Sequence, residues 1–176
     1  MGTLKDVSPD FRWSKKDWQT LAKILPLEGT PEAVKLFARY AYRLSDYAYW
    51  FMLSTCWVSY CGWSELELWK GLFSSPRSNR MTSIMKPSEL EFFNLLPPTI
   101  LVYRAHRPGE TDWISYTLFP QKAAEFAARR GTDQVKEYLV DKRDALCVFT
   151  RRGEFEVLVL DKSKAVFMRQ LPVVRT

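Results

Sequence analysis

The sequence has few of the residues on which metal sites, disulfide frameworks and histidine-based catalysis depend. Its 176 residues include three cysteines and one histidine. Cys56, Cys61 and Cys147 form no CxxC pair and are odd in number, so neither a zinc site nor a disulfide framework is expected. This cysteine pattern favours a reducing compartment. The histidine, His106, follows a short apolar run, a loop position at which an exposed side chain is expected.

Several motifs of common enzyme classes are also missing. The chain contains no GxxxxGK[ST], GxGxxG, GxSxG or HExxH, which excludes P-loop, Rossmann, hydrolase-elbow and metalloprotease sites of the usual kind. The first residues, MGTLKDVSPDF, lack the apolar core of a signal peptide. We therefore predict a cytoplasmic protein without a metal cofactor.

What the chain does have is enough apolar material for a folded core. Hydrophobic residues make up 47% and aromatic residues 15% of a 20.6 kDa chain, which fits one domain with an accessory segment. The net charge of +6 is shared equally by the two halves. Such an even distribution gives little support to a nucleic-acid partner, which would require pairs such as Arg129-Arg130 and Arg151-Arg152 to meet on one face.

Helical periodicity and helix-start signals occupy the first half. Ser14 with Asp17 resembles a capping box, and Thr30-Pro31 combines a capping hydroxyl with a proline at the first helical position. The predicted elements are a helix from Ser14 to Pro26, a long helix from Thr30 to about Cys61, short helices beginning at Ser64 and Ser88, and a loop over residues 74–87.

An uncharged stretch over residues 47–64 is just long enough to raise the question of a membrane span. Its tyrosine, serine and threonine side chains weaken insertion into lipid. A helix packed nearly all round in a small domain is therefore the preferred interpretation.

The second half changes to short strands. The predicted strands are residues 99–104, 113–118, 135–140, 145–149, 156–160 and 165–169, with a helix over Pro120–Arg130. Helices followed by a mostly antiparallel sheet define an α+β fold. We predict a helical segment over residues 1–98, which caps a site or recognises a target, and a β core over residues 99–176.

Three pieces of the second half carry candidate chemistry. They are Tyr103-Arg104-Ala105 at the end of the first strand, Ser115-Tyr116-Thr117 in the second, and Glu154-Phe155-Glu156 before an apolar strand. Each piece alone is ordinary, since strand-end arginines and flanking glutamates are common on protein surfaces. Their order along the chain is more informative.

In this order the pieces resemble the arginine–serine–glutamate signature of the mono-ADP-ribosyltransferases that transfer ADP-ribose from NAD. The resemblance covers roughly residues 99–170 and is closest to small phage-encoded members. It includes the helix after the second piece, in which Ala123-Ala-Glu-Phe126-Ala127 follows a pattern found in many small members. It therefore implies an ADP-ribosyltransferase-like β core.

The resemblance also implies roles for individual residues. Glu156 would stabilise the positive charge that develops on the ribose, and Ser115 would orient Glu156. Arg104 would hold NAD, with Tyr103, Ser115 and Thr117 beside it. Glu154 would be the second catalytic carboxylate, associated with arginine as the acceptor, although asparagine and nucleic acid remain open as acceptors.

The function implied is NAD-dependent modification of a macromolecular target, with a protein as the favoured partner, no membrane and no metal. By analogy with small phage-encoded members, the target would be a host defence or transcription component. The alternative is a noncatalytic inhibitor that occludes its partner. Its support is the aromatic-rich helical half, in particular Trp50, Trp57, Trp63 and Trp69, since aromatic side chains are common anchors in interfaces.

Overall fold

The computed structural model describes residues 6–172 of the chain. Two compact units meet between Glu91 and Phe92. This division lies inside a helix, Pro87–Leu95, whereas the sequence predicts a boundary after residue 98. Each unit has its own core, and the two are described separately below.

The first unit is built from helices that begin at recognisable signals. Ser14 Oγ accepts a hydrogen bond from the backbone N–H of Asp17 at 3.2 Å, as the capping pattern predicts. The helices that begin within residues 6–91 are α1 (Lys15–Ile24), α2 (Pro31–Tyr40), α3 (Asp46–Ser59), α4 (Leu66–Phe73), α5 (Arg80–Ile84) and α6 (Pro87–Leu95).

The single long helix predicted over residues 30–61 is wrong, because the chain leaves the helical conformation between α2 and α3. Leu44 is extended, with φ −83° and ψ 144°. Ser45 then caps a new helix, and its Oγ accepts a hydrogen bond from the Ala48 N–H at 3.3 Å. A capping residue has a non-helical backbone, so Leu44 and Ser45 together separate α2 from α3.

The predicted loop over residues 74–87 contains the short helix α5. Two hydroxyls of α5, those of Thr82 and Ser83, donate to the carboxylate of Asp10, and the bond from Ser83 is 2.9 Å long. Asp10 is far away in the sequence. A contact of this kind holds a short helix that local sequence patterns do not indicate.

The uncharged stretch forms the buried centre of the first unit. Trp50, Met52 and Leu53 of α3 are fully buried. The indole of Trp50 donates to the carbonyl of Ser78 at 2.9 Å, so its polar atom is satisfied inside the core. Nowhere in residues 6–172 is there a helix that is both long and apolar enough to cross a membrane.

The second unit contains an antiparallel sheet with one helix inserted in the chain. Its elements are β1 (Thr99–Ala105), β2 (Ser115–Thr117), α7 (Pro120–Arg130), β3 (Val135–Asp141), β4 (Cys147–Phe149), β5 (Glu156–Leu158) and β6 (Ala165–Leu171). The six strands found within residues 6–172 lie in the order β4-β5-β2-β1-β3-β6. The predicted α+β fold is confirmed.

Helix α7 covers one face of the sheet. Ala123 and Ala127 are fully buried and pack on Tyr103, Ala105 and Val135. The small alanine side chains allow the helix to approach β1 and β3 closely, which is why a helical run rich in alanine follows β2. This packing fixes the face of the sheet on which the helix lies.

Helices α1 and α3 are joined by one buried carboxylate. Asp17 is 6% exposed. Its Oδ1 accepts from the backbone N–H of Ser45 at 2.9 Å, and its Oδ2 accepts from the Ser45 hydroxyl at 2.7 Å. Asp17 therefore holds the residue at which α3 begins.

Replacing Asp17 by alanine is expected to lower the free energy of unfolding by about 2 kcal/mol, because Ser45 loses two hydrogen bonds to a charged group. Urea unfolding followed by tryptophan fluorescence measures the change. The exposed neighbour Lys16, replaced by alanine, is the control and should shift stability by less than about 0.5 kcal/mol. Equal unfolding midpoints for the two variants would contradict the assignment.

Candidate functional site

Strands β2 and β5 bring a hydroxyl and a carboxylate together across the sheet. Their register pairs Ser115 with Leu158 and Thr117 with Glu156. Because side chains alternate along a strand, Ser115, Thr117 and Glu156 share one face. Ser115 Oγ donates a hydrogen bond to Glu156 Oε1. The second and third sequence pieces therefore meet, although more than thirty-five residues separate them along the chain.

The backbone directly before Glu156 is held in a strained conformation. Phe155 has a φ of 48°, in the left-handed region that bulky residues rarely adopt. Thr117 Oγ1 donates to the carbonyl of Glu154 at 2.7 Å. The ring of Phe155 packs edge-on against Phe119, with centroids 4.8 Å apart. Strain held in place by surrounding contacts is found preferentially at functional sites.

The guanidinium of Arg104 is bound by protein groups. Its Nε and Nη2 donate to the two carboxylate oxygens of Glu110, at 3.0 and 2.5 Å. Its Nη1 donates to the backbone carbonyl of Ser115 at 2.7 Å. The side chain is 10% exposed. Arg104 therefore reaches Ser115 through the main chain of β2.

Arg104 lies on the opposite face of the sheet from Ser115 and Glu156. The register pairs Tyr103 with Thr117, so Tyr103 shares the face of Ser115 and Arg104 points to the other side. The structure thus brings Ser115 and Glu156 into contact but does not place the Arg104 guanidinium beside them. The role implied for Arg104 at NAD therefore stays a prediction.

His106 is buried, at 6% exposure, which corrects the expectation of an exposed loop side chain. Its Nδ1 lies 2.9 Å from Glu110 Oε2, and its Nε2 lies 2.7 Å from the Tyr138 hydroxyl. Because a carboxylate only accepts, Nδ1 carries a proton. Burial raises the pKa of Tyr138 to about 12, so its hydroxyl keeps its proton at neutral pH.

Glu110 is the residue of this cluster that sequence reasoning missed. Burial raises the pKa of Glu110, but the hydrogen bonds from His106 and Arg104 outweigh that effect and bring it to about 2. Glu110 and Asp112 are both carboxylates of the segment between β1 and β2. Nothing in their spacing distinguishes the one that folds back onto Arg104.

The other predicted site residues lie as follows. Tyr103 is 9% exposed and packs in the cluster under α7. Thr117 is buried, and its hydroxyl donates a hydrogen bond to the carbonyl of Glu154. The carboxylate of Glu154 is 3.7 Å from Arg152 Nη2, with a quarter of its side chain exposed. The contacts show Tyr103 and Thr117 supporting the strands, while the roles implied for them at NAD stay predictions.

Comparison with protein-family models, curated proteins and solved structures found no match to the chain. The part of the chain that the structure describes contains no group of three or more histidine, cysteine, aspartate or glutamate side chains arranged to hold a metal ion. The proposals below therefore depend on the geometry of the second unit and on the sequence pattern.

The lowered pKa of Glu110 predicts an acid-sensitive contribution to stability. Its ordinary value is 4.5 and its folded value about 2, so the contribution is complete above about pH 4.5 and is lost as the pH falls towards 2. It amounts to at most about 3 kcal/mol. Urea midpoints measured from pH 5.5 to 2.5 should fall more steeply for the wild type than for Glu110→Gln. Parallel curves would contradict the assignment.

Proposed function

We propose that this chain is an NAD-dependent mono-ADP-ribosyltransferase whose acceptor is a protein. The observation that carries the proposal is the hydrogen bond from Ser115 Oγ to Glu156 Oε1 across β2 and β5. It joins the serine and glutamate of the sequence signature in an orientation that their positions in the chain do not require. The strained backbone at Phe155 adds support, because it sets the direction of the following glutamate.

The reaction explains why a fixed carboxylate is needed. The bond between ribose C1′ and the nicotinamide nitrogen breaks, and its electron pair leaves with nicotinamide. Positive charge then develops on the sugar, and a preorganised carboxylate stabilises it. In the proposal Glu156 supplies that charge, and the Ser115 hydroxyl holds its Oε1. The nucleophile of the acceptor forms the new bond to C1′ and gives up its proton, which Glu154 accepts.

Arg104 acts in this proposal as a positioning residue. Three of its N–H groups already point to Glu110 and to the carbonyl of Ser115. The bond from Nη1 fixes the first residue of β2 relative to β1, and so helps to fix the Ser115 hydroxyl on the opposite face. The two bonds to Glu110 hold the guanidinium in place for that contact.

The alternative of a noncatalytic inhibitor has weaker support than the sequence gives it. Of the four tryptophans on which it depends, Trp50 and Trp69 are 0 and 2% exposed, and Trp57 is half-buried. Only Trp63 among those four is strongly exposed, at 75%. Side chains inside the core of a unit are not available as interface anchors.

The proposed setting is the cytoplasm of a host cell, with a defence or transcription component as the target. The support is the resemblance to small phage-encoded transferases. Within residues 6–172, Cys56, Cys61 and Cys147 form no disulfide with one another, the state expected of cysteines in a reducing compartment.

Glu156→Gln is expected to reduce the rate of nicotinamide release from NAD at least ~10²-fold, because the amide cannot supply the negative charge that the transition state needs. Nicotinamide is measured by chromatography after incubation of the purified protein with NAD and cell extract. Glu125→Gln, at an exposed position of α7, is the matched control and should retain full activity.

Two results would contradict the proposed function. One is a wild-type protein that neither releases nicotinamide nor labels any protein from labelled NAD. The other is a Glu156→Gln variant that keeps full activity. A stable complex with a partner that forms equally well without NAD and with Glu156→Gln would favour the noncatalytic alternative instead.

Glu154→Gln is expected to separate transfer from hydrolysis. If Glu154 accepts the proton of the acceptor, the variant loses transfer to protein about 10²-fold while nicotinamide release with water as acceptor continues. Both products are quantified in one reaction with labelled NAD. An equal loss of transfer and hydrolysis would show instead that Glu154 acts on the sugar.

A further inference from the structure

Two further arginines, Arg107 and Arg130, lie near the end of β1 and have no role in the bond-breaking step proposed above. Arg107 lies two residues after the end of β1, and its side chain is 28% exposed, with its Nη1 3.6 Å from Glu110 Oε1. Arg130 ends α7, and its Nη1 donates to the carbonyl of Ala105 at 2.5 Å. One guanidinium is thus bound to the last carbonyl of β1, and the other belongs to the segment that follows this strand.

The carboxylate nearest to these arginines is already shared. Both oxygens of Glu110 receive short hydrogen bonds from Arg104, and the contact of Arg107 with Glu110 is longer than a hydrogen bond. Among the residues that the structure describes, Arg130 has no salt bridge, and its hydrogen bond goes to a neutral carbonyl. Arg104 and Arg107 therefore share one carboxylate, and Arg130 adds a third positive charge within electrostatic range of it.

The pKa shifts of Arg107 and Arg130 agree with an excess of positive charge around Glu110. Burial lowers the pKa of Arg130 to about 10, and the positive charges of Arg107 and Arg104 add to the effect. Burial also lowers the pKa of Arg107, which Glu110 only partly offsets. Half-buried like charges repel each other in a medium that screens them poorly, and a bound anion would relieve that repulsion.

A purely structural role explains Arg130 less well. A cation in the last turn of a helix interacts favourably with the helix dipole, but its neighbour Arg129 does so while exposed. Arg130 is turned inward instead, since its Nη1 donates to the last carbonyl of β1. Its guanidinium there lies within electrostatic range of Arg107.

We propose that Arg107 and Arg130 form an anion-binding pair at the end of β1 that takes the diphosphate of a dinucleotide substrate. This inference rests on the proposed function for the identity of the substrate, but the anion site stands on its own contacts. Guanidinium groups suit phosphate oxygens because their planar forks donate two parallel hydrogen bonds. Two such groups match the two phosphates of NAD.

The position of the pair suits that role. Arg130 lies on α7, which covers the face of the sheet that carries Ser115 and Glu156. The carboxylate of Glu154 also lies within electrostatic range of Arg130. The diphosphate of the substrate would thus be held at the end of β1, while the ribose to be cleaved approaches Glu156. Arg104 keeps its bonds to Glu110 and Ser115.

The test uses the full chain and inorganic pyrophosphate as the probe. Isothermal titration at low salt should detect binding to the wild type. Arg107→Gln and Arg130→Gln should each weaken it at least about 10-fold, because charge-assisted hydrogen bonds are lost. Arg129→Gln is the control and should bind as the wild type does. Arg130→Lys keeps the charge and the helix end, and should bind more weakly than the wild type and more tightly than Arg130→Gln.

Kinetics with NAD provide the second readout. Both glutamine variants should raise the KM for NAD about 10-fold and leave kcat within about threefold, because the pair binds a part of the substrate remote from the bond that breaks. If folded Arg107→Gln and Arg130→Gln bind pyrophosphate and NAD as the wild type does, the anion pair is wrong while the transferase proposal stands. If pyrophosphate binding depends on the pair but NAD is never consumed, the anion site stands and the proposed function fails.

Discussion

The second unit depends on one buried ion pair, in which Glu110 takes both Nε and Nη2 of Arg104. A guanidinium buried at the end of a strand would be strongly unfavourable without a carboxylate that matches its fork. The pair leaves Nη1 free to hold the carbonyl of Ser115 at 2.7 Å. Strand β2 spans three residues and therefore forms few backbone hydrogen bonds with β1. The bond from Arg104 to the Ser115 carbonyl adds a further link between these two strands. His106 adds a further hydrogen bond to Glu110, and the Tyr138 hydroxyl binds the other ring nitrogen of His106.

Because side chains alternate along a strand, the two faces of the sheet carry different groups. The face of Arg104 holds a dense network of hydrogen bonds that fixes the backbone. The other face carries Ser115 and Glu156, whose hydrogen bond is thereby placed on a rigid support. A site is more exact when its supporting groups are themselves locked by packing and hydrogen bonds. The strained backbone at Phe155 belongs to the same arrangement, because Thr117 holds the preceding carbonyl in place.

Local rules predict much of this fold, and long-range contacts account for what they miss. Pro120 at a helix start and Gly131 at its end, in the left-handed conformation, mark α7 at both termini. Short apolar runs between turn residues mark the strands. The break at Ser45 depends on Asp17, a residue of another helix. The burial of His106 likewise depends on Tyr138 and on a loop carboxylate, so no nearby pattern indicates it.

Only part of the candidate site could be predicted from the sequence. The pairing of Ser115 with Glu156 is expected from the order of the three sequence pieces. The face of the sheet on which Arg104 lies depends on the register between β1 and β2, which the sequence does not reveal.

The distribution of positive charge in the folded second unit also could not be predicted from its distribution along the sequence. The net charge of +6 is even along the chain, which argues against a polyanion surface when only the sequence is considered. Folding brings Arg104 and Arg107 to one carboxylate, that of Glu110, and places Arg130, at the end of α7, within electrostatic range of it. A small concentration of positive charge needs no excess of basic residues in either half, because two elements that pack together can each contribute one. Two or three neighbouring arginines suit a single diphosphate group, whereas a nucleic-acid backbone requires a row of cations across a surface.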